Sequence, residues 1–319
     1  METITTEHVS CAFCGENNST LFADGFDYQY WTSKQKWQFV QCSQCGHVYL
    51  NPRPSPDESD KIYPSNYYTL EGRHTKSQST LIAKFKEYVI WKRLAYFDDL
   101  FSSGANIIEI GSGDCSLLIQ IKNKYPNCQV TGIDLSFSDN VKRTCEEVNI
   151  RLFEEPIERS ILPDNSFDLV IMNQVIEHLW QPSQVIDNIV RMLKKGGHLS
   201  IETPNLSGYD QKLFARSHWG GYYFPRHLQL FGHTSLKNIL ENRGMSVLKQ
   251  FSLVAPIIWA FSVHSAINTR FNHQHRPWFV DRLLSDRNPA CLGFFTIIDM
   301  IARMLGFTTS NQKIIAIKN

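Results

Sequence analysis

A loop with closely spaced glycines, set between two apolar segments, is the strongest constraint on how this chain folds. Residues 107–110 are mostly apolar and lead into Gly111 and Gly113, and a second apolar segment ends at Asp134, 21 residues after Gly113. A strand, a glycine loop, a helix and a second strand ending in a carboxylate are typical of the first unit of a nucleotide-type binding site. Glycines let the backbone pass close to a ligand, and the carboxylate can accept hydrogen bonds from ribose hydroxyls. The sequence therefore predicts a ligand site at this loop.

The rest of the chain alternates between strand-like and helix-like segments. Apolar runs and helical periodicity predict strands at 107–110, 129–133, 150–153, 167–172, 198–202, 245–253 and 313–318, and helices at 114–124, 138–147, 183–194 and 234–243. Such alternation predicts an α/β fold with a doubly wound, Rossmann-like sheet.

The bulk composition excludes some classes of protein. The chain has 319 residues, and 32 Lys and Arg against 31 Asp and Glu give a net charge of +1, so no overall field favours nucleic acid. Residues 1–10 are polar and acidic and lack a signal-peptide pattern, so we expect a cytoplasmic protein.

Two Cys-x-x-Cys-Gly turns lie near the N-terminus, with 27 residues between Cys14 and Cys42. This spacing can bring four thiolates to one tetrahedral Zn²⁺, so the sequence predicts a zinc ribbon in which the metal is structural. The predicted metal ligands are Cys11, Cys14, Cys42 and Cys45. A pair of disulfides or unliganded thiols is the alternative. The other cysteines are scattered and are interpreted as small buried hydrophobic residues.

These patterns predict five parts of the chain. Residues 51–59 carry three prolines, residues 62–68 form an aromatic loop, and residues 81–101 have the periodicity of a helix that covers the sheet. The predicted division is a zinc ribbon at 1–50, a linker and covering helix at 51–103, a ligand-binding core at 104–253, an apolar helical insertion at 254–308 and a closing strand at 309–319.

Five motifs, in this order, resemble those of class I S-adenosylmethionine-dependent methyltransferases. They are Glu109-x-Gly111-x-Gly113, Asp134, and the segments 162–168, 173–179 and 193–199. The resemblance covers residues 104 to about 253 and the final strand, and the N-terminal ribbon makes the chain similar to sugar- and polysaccharide-associated members. Cys115 departs from the pattern, since the family usually has a third glycine there.

The resemblance implies that S-adenosylmethionine is the cofactor and assigns its contacts. The implied cofactor-binding residues are Glu109, Gly111 and Gly113 around the methionine part, Asp134 at the ribose, Leu135, Pro156 and Ile157 at the adenine, and Asn173 and Gln174 near the sulfonium. Near Glu155 to Ile157 family members often have an Asp, which this chain lacks.

Two other functions remain open on the sequence alone. A nicotinamide-dependent dehydrogenase also uses a ribose-binding Asp, but it favours Gly or Ala where this chain has Ser116, and Glu109 suits a cationic ligand better than a pyrophosphate. The second alternative is a non-catalytic adaptor, in which the zinc ribbon binds a partner and the methyltransferase fold is only a scaffold.

Methyl transfer to a hydroxyl or an acidic C–H needs a base, and His is well matched to neutral pH. His178 and His227 both follow predicted strand ends, so they are the candidate catalytic residues; bracing of a loop by each His is the alternative. The segment 225–236 resembles the corresponding region of zinc-ribbon methyltransferases that act on nucleotide-linked sugars, although Arg226 replaces their carboxylate.

The acceptor is therefore predicted to be a small molecule or glycan, and a nucleotide-linked or lipid-linked sugar is favoured. Arg226 is a candidate for a phosphate contact, and aromatic residues could form an acceptor wall or simply pack, namely Trp219, Tyr222, Tyr223 and Phe224.

The apolar segments 254–263 and 291–307 are too interrupted to span a bilayer. The sequence predicts a helical pair that forms a lid or a homodimer surface, and peripheral membrane contact is the alternative. Basic residues between them could face phosphates or water, namely Arg270, His273, His275 and Arg276.

Overall fold

The computed structural model describes residues 3–64, 88, 90–270, 282–284 and 288–319. The chain divides into two compact units. The unit that holds the N-terminal cysteines, here the cysteine unit, comprises Met1–Pro64, Gln174–Ser183 and Ile201–Ile315. The unit that holds the glycine loop, here the loop unit, comprises Ser65–Asn173, Gln184–Ser200 and Ala316–Asn319.

The largest sheet has seven strands, and it confirms the predicted Rossmann-like architecture. The strands are β6 (Asn106–Ile110), β7 (Gln129–Asp134), β8 (Ile150–Glu154), β9 (Phe167–Asn173), β10 (Leu193–Pro204), β12 (Met245–Leu253) and β13 (Asn311–Lys318). Their order is β12-β13-β10-β9-β6-β7-β8. β6 pairs in parallel with both β7 and β9, so the carboxyl ends of these three strands lie at the same edge of the sheet. Residues of the sequence motifs lie at these strand ends.

Helices connect these strands close to the predicted positions. The described helices of four or more residues are Ser59–Ile62, Asp98–Ser102, Ser116–Lys124, Asp139–Glu147, Pro182–Met192, Tyr209–Leu213, His233–Glu241, Pro256–Arg270 and Pro289–Met304. Short 3-10 turns occur at Pro56–Glu58, Ala95–Phe97, Ile157–Arg159, Ile176–His178 and Gly220–Tyr222. Most of the predicted covering helix, and residues 65–68 of the aromatic loop, lie outside the described residues.

Residues 195–197, which lie between the predicted helix 183–194 and the predicted strand 198–202, belong to β10. The preceding helix ends at Met192, and β10 begins at Leu193. Gly197 lies where a side chain would collide with neighbouring backbone, because a Cβ atom there would be only 2.9 Å from the carbonyl oxygen of Lys194. Glycine is therefore used here for close packing within the strand.

The cysteine unit contains a four-stranded antiparallel sheet. Its strands are β2 (Ser19–Gly25), β3 (Trp37–Cys42), β4 (Val48–Leu50) and β11 (Gln229–Leu230), in the order β11-β4-β3-β2. Two more strands, β1 (Thr6–Glu7) and β5 (Arg53–Pro54), pair with each other. The core of this unit packs large aromatic side chains, among them Trp37, Phe39, Trp219, Tyr222 and Phe224.

The core of the loop unit consists mainly of aliphatic side chains from its parallel strands. Ile107, Ile108, Leu169 and Val170 have essentially no exposed surface. A parallel strand covered on both faces is expected to be apolar, as residues 169–172 are.

The described part of the apolar insertion includes two long helices of the cysteine unit, Pro256–Arg270 and Pro289–Met304. Trp259 stacks on Phe295 with ring centroids 5.6 Å apart, and Asp299 accepts a hydrogen bond of 2.8 Å from the Trp259 indole N–H. Several apolar side chains on or just after the second helix are exposed, namely Phe294, Ile297, Met300, Ile301, Met304, Leu305 and Phe307. Among the described residues no helix is both long and apolar enough for a transmembrane span. Use of the exposed face as a lid, a dimer surface or a membrane contact stays a prediction.

Candidate functional site

The glycine loop of the loop unit is held against the end of β7 by main-chain hydrogen bonds. The N–H groups of Gly111 and Ser112 donate to the Ile133 carbonyl at 2.8 and 3.3 Å. Gly111 and Gly113 have φ values of +71° and +52°, which L side chains rarely adopt. A Cβ atom at Gly113 would meet no atom within 4 Å, so the loop surface is open there. The loop therefore presents bare backbone to a ligand.

Asp134, the last residue of β7, fixes this loop. Its Oδ2 accepts a hydrogen bond of 2.7 Å from the Gly113 N–H, and its Oδ1 accepts one of 2.7 Å from the Leu135 N–H. Burial raises the pKa of Asp134, while these two N–H donors act to lower it. Each carboxylate oxygen has a further lone pair that can accept a hydroxyl donor. The carboxylate thus braces the loop and keeps acceptor capacity for a ribose.

Cys115 shows why the related sequences favour a third glycine. The residue has φ = +55° and precedes the helix Ser116–Lys124 in the left-handed conformation. Its side chain is buried, and its Sγ lies 3.8 Å from the Ser112 Oγ. The loop therefore accommodates the cysteine in the backbone conformation that glycine adopts most easily.

Leu135 and the turn after β8 supply apolar surface in the same unit. Leu135, directly after β7, is 69% exposed. The Glu155 N–H donates to the Asp134 carbonyl at 3.0 Å, Pro156 caps a 3-10 turn and Ile157 is buried. This hydrogen bond links the predicted adenine-binding turn to the predicted ribose-binding strand end.

Glu109 and Asn173 lie on the adjacent strands β6 and β9. The Asn173 Nδ2 donates to the Glu109 Oε1 across 3.4 Å, a long hydrogen bond, and Glu109 is buried. The structure therefore brings together two of the residues predicted to surround the methionine and sulfonium parts of the cofactor.

Gln174 follows Asn173 in the chain and belongs to the cysteine unit. It has φ = +55°, its N–H donates to the Glu202 carbonyl at 2.7 Å, and its Nε2 donates to the Asn311 Oδ1 at 3.1 Å. A left-handed non-glycine residue stabilised in this way is a local strain of the kind found at functional sites.

The two candidate catalytic histidines lie side by side within the cysteine unit, together with Glu177. The ring centroids of His178 and His227 are 4.8 Å apart at an interplanar angle of 70°. One ligand atom from each of Glu177, His178 and His227 lies within 4.8 Å of the other two. We call these three residues the Glu–His cluster.

Hydrogen bonds hold every member of the Glu–His cluster. The His178 Nδ1 lies 3.0 Å from the Arg226 carbonyl and 3.1 Å from the Tyr63 hydroxyl, and the His227 Nδ1 lies 2.7 Å from the Gly221 carbonyl. The Thr203 hydroxyl donates to the Glu177 Oε2 at 2.9 Å. The cluster is therefore preorganised.

Burial controls the charge of the cluster. It lowers the pKa of His178 to about 4 and lowers that of His227 as well, and it raises the pKa of Glu177 to about 8. Both imidazoles are consequently neutral near pH 7, which is the form that can accept a proton or bind a metal.

The structure corrects the prediction for Arg226. The residue is fully buried and does not project from an exposed loop. Its Nη1 and Nη2 donate to the Asp27 Oδ1 and Oδ2 at 3.0 and 2.9 Å. The guanidinium is thus committed to an internal carboxylate and is not free to bind an external phosphate.

The aromatic residues that were candidates for an acceptor wall are core residues. Trp219, Tyr222, Tyr223 and Phe224 are all at most 5% exposed. The Trp219 indole N–H donates to the Ser310 Oγ at 2.8 Å. The structure therefore supports the packing alternative for this segment.

The four N-terminal cysteines converge, as their spacing predicts. Sγ–Sγ distances are 3.5 Å for Cys11 and Cys45 and 3.5 Å for Cys14 and Cys42, and all four Sγ atoms lie within 4.8 Å of one another. A tetrahedral Zn²⁺ with Zn–S bonds of about 2.3 Å separates its sulfurs by about 3.8 Å, so the geometry fits this ion.

The four thiols differ in acidity, because burial raises the pKa values of Cys11 and Cys45. Burial acts to raise the pKa of Cys42, but main-chain N–H donors of the turn, with the neighbouring thiols, bring that pKa down to about 7. The cysteine cluster thus has the donor set of a structural zinc ribbon.

The basic residues that could face phosphates or water lie outside the described part of the structure. They are His273, His275 and Arg276 and the side chain of Arg270.

Sequence reasoning missed two residues, Glu177 and Asp27. Glu177 is adjacent to His178, so its position next to a candidate histidine was a usable signal. No local pattern marks Asp27, which reaches its partner across 199 positions of sequence.

Comparison with known proteins places these features in context. A family model described as a methyltransferase domain matches residues 82–250, just over half of the chain. A protein of Mycolicibacterium smegmatis, named as a probable S-adenosylmethionine-dependent methyltransferase, is 32% identical over 171 residues, which are 50% of this chain and 57% of the relative. A demethylmenaquinone methyltransferase of Listeria welshimeri is 25% identical over 197 residues, 54% of this chain and 83% of the relative.

The chain spans little more than half the length of the first curated relatives that it matches, 57% and 55%. Among solved structures, that of a candidate sarcosine dimethylglycine methyltransferase from Galdieria sulphuraria has a TM-score of 0.51 at 12% identity. The match covers 82% of this chain and 99% of that one. At this identity the likeness concerns the fold alone.

Proposed function

Because this chain belongs to the family of methyltransferase domains, we propose that it transfers a methyl group from S-adenosylmethionine to a small-molecule or glycan acceptor. The observation that carries the proposal is the hydrogen bond of 2.7 Å between the Gly113 N–H and the Asp134 carboxylate. It joins the open backbone of the loop to the acid at the strand end. The family match argues against the dehydrogenase alternative.

The residues of the loop unit fit the cofactor. Gly111 and Gly113 offer bare backbone, and the buried carboxylate of Glu109 suits a ligand that carries ammonium and sulfonium charges and no phosphate. Asp134 would accept the ribose hydroxyls, and the exposed Leu135 would cover one face of the adenine. The adenine ring would then cover apolar surface of Leu135 that is otherwise in contact with water, which favours binding.

Pro156 and Ile157 would border the adenine, and Asn173 and Gln174 the sulfonium. S-adenosylmethionine would supply an electrophilic methyl group. The task of the protein is to hold the acceptor atom about 3 to 3.5 Å from the methyl carbon in line with the breaking bond, and to exclude water.

His178 and His227 are the proposed proton acceptors for a hydroxyl or acidic C–H. Their neutral imidazoles are the competent form, and the carbonyls at their Nδ1 atoms fix the tautomer. If His178→Ala and His227→Ala both keep full turnover at neutral pH, the proton-acceptor role is wrong.

A nucleotide-linked or lipid-linked sugar is the acceptor class that we propose, on the sequence resemblance of residues 225–236. Relatives include methyltransferases named for demethylmenaquinone and for malonyl-acyl carrier protein. We therefore propose a test with labelled cofactor and a panel of nucleotide sugars, lipid-linked glycans, quinone precursors and acyl carrier protein esters. Label in a sugar product supports the proposal, and label only in another class rejects it.

The cofactor site is tested separately by calorimetry with S-adenosylhomocysteine. Saturable binding that Asp134→Ala abolishes supports the proposal. Absence of binding by a folded protein would favour the adaptor alternative, and protection by NAD would favour the dehydrogenase.

We also propose that Zn²⁺ binds Cys11, Cys14, Cys42 and Cys45. A closed set of four thiolates leaves no open coordination position, so the metal would be structural. A cytoplasmic location fits these reduced thiols and stays a proposal.

A further inference from the structure

We propose that Glu177, His178 and His227 form a second metal site, which binds a first-row divalent cation such as Mn²⁺ or Fe²⁺. Two imidazole nitrogens and one carboxylate oxygen are a ligand set that such cations accept while they keep open positions. The site is chemically distinct from the four thiolates, which favour softer ions.

The ligand atoms already lie close together. One atom from each residue lies within 4.8 Å of the other two. Ligand atoms that share an ion at about 2.0 to 2.2 Å are separated by about 3 to 4.4 Å, so small side-chain rotations would complete the coordination. The imidazole rings meet at 70° and are not stacked, which lets their nitrogens converge.

Both histidines are oriented as metal ligands usually are. A carbonyl oxygen only accepts, so the Nδ1 atoms of His178 and His227, at 3.0 and 2.7 Å from main-chain carbonyls, carry the protons. The Nε2 lone pairs are then left to bind. The hydrogen bonds that the structure shows for these two rings are made by their Nδ1 atoms. Anchoring of one ring nitrogen by a carbonyl is the usual support for a histidine that binds a metal through the other.

The buried carboxyl group of Glu177 independently indicates a bound cation. It is only 1% exposed, and its Oε2 accepts the Thr203 hydroxyl at 2.9 Å. Its Oε1 is buried without a hydrogen-bond partner among the described residues. A buried polar oxygen without a hydrogen-bond partner costs free energy, and a cation that replaces the carboxyl proton would satisfy it.

The surroundings keep the site in place and permit a positive ion. The Leu228 N–H donates to the Glu177 carbonyl at 2.7 Å, which fastens the two segments of the cluster to each other. The nearby guanidinium of Arg226 is neutralised by Asp27. His178 is only half-buried.

Metal binding would compete with the proposed proton-acceptor role of His178 and His227, but it does not depend on methyl transfer. A cation at the two Nε2 atoms would occupy the lone pairs that the proposed proton acceptors use, so metal content decides which role these histidines have. A loss of cofactor binding leaves the metal proposal intact, and a failure to bind metal leaves the proposed methyl transfer intact.

The test is electron paramagnetic resonance of the 319-residue chain, purified without chelator and titrated with Mn²⁺. We expect one bound Mn²⁺ per chain, with spin-echo modulation from imidazole nitrogen. No bound Mn²⁺ at millimolar concentration, or bound Mn²⁺ without nitrogen coupling, overturns the proposal.

Variants identify the ligands. Glu177→Gln and His227→Gln should abolish binding, and Thr203→Val, which only removes the support of Glu177, should weaken it about 10-fold. Cys128→Ser and His198→Gln, which lie outside the cluster, should bind Mn²⁺ as the parent does. Circular dichroism confirms that each variant is folded, and unchanged Mn²⁺ affinity in folded Glu177→Gln and His227→Gln would reject the assignment.

Discussion

Arg226 and Asp27 form a bidentate ion pair, with N–O distances of 3.0 and 2.9 Å, in which neither side chain is exposed to solvent. The guanidinium also lies over the ring of Tyr30, 4.4 Å from its centroid. The Asp27 carboxylate accepts further main-chain hydrogen bonds from Tyr30 and Thr32, each 3.0 Å long. Arg226 directly precedes His227, so this ion pair also helps to fix the position of His227 in the Glu–His cluster.

Loss of one partner of this pair should destabilise the fold strongly. Asp27→Ala leaves the Arg226 charge buried and unpaired, and we expect a loss of about 3 to 5 kcal/mol in the free energy of unfolding. Urea denaturation of the parent and of Asp27→Ala measures this difference in the free energy of unfolding.

An exposed ion pair of the same unit is the matched control. Lys36 lies 3.0 Å from Asp24, and Lys36→Ala should cost at most about 1 kcal/mol. An equal loss of unfolding free energy in Asp27→Ala and Lys36→Ala would show that the buried ion pair stabilises the fold no more than the exposed one.

Asp210 should make stability depend on pH. It is buried and accepts hydrogen bonds from Ser310 and Trp219, and burial raises its pKa from the usual 3.8 to about 6. An acid with a raised pKa in the folded state stabilises the fold at low pH, and this contribution is lost as the pH rises through about 6, with a total of about 3 kcal/mol.

Asp210→Asn removes this titration while it keeps the shape of the side chain. We therefore expect the unfolding free energy of the parent, relative to that of the variant, to fall between about pH 4 and pH 7. Parallel pH profiles for the two proteins would refute this prediction.

The cysteine cluster should carry one zinc ion per chain. Cys14→Ser and Cys45→Ser should lose the metal and lower the melting temperature, because a small module of this kind depends on its ion for folding energy. Cys128→Ser, at a buried cysteine outside the cluster, should keep the zinc. Atomic absorption on the purified proteins measures the content, and a zinc-free parent protein would contradict the prediction.

Local sequence patterns were sufficient for much of the loop unit. The run at 107–110, the glycines and Asp134 follow one another closely in the chain, so periodicity and spacing identified β6, the loop and β7. The cysteine turns were predictable for the same reason, because each Cys-x-x-Cys-Gly turn places its two thiols locally.

Long-range pairing could not be predicted in this way. β11 has only the two residues Gln229 and Leu230 and exists because it pairs with Tyr49 and Val48 of β4. Arg226 looked like a surface residue because its partner, Asp27, is remote in sequence. The buried state of residues 219–224 depends on the core that forms around Phe39, which no local pattern reveals.

We propose above all that the loop braced by Asp134 binds S-adenosylmethionine. Isothermal titration calorimetry with S-adenosylhomocysteine tests it most directly, on the parent, on Asp134→Ala and on the exposed control Asp164→Ala. We expect saturable binding with one site per chain for the parent and the control, and no binding for Asp134→Ala. No binding by the folded parent at millimolar ligand, or equal binding by the parent and Asp134→Ala, would contradict it.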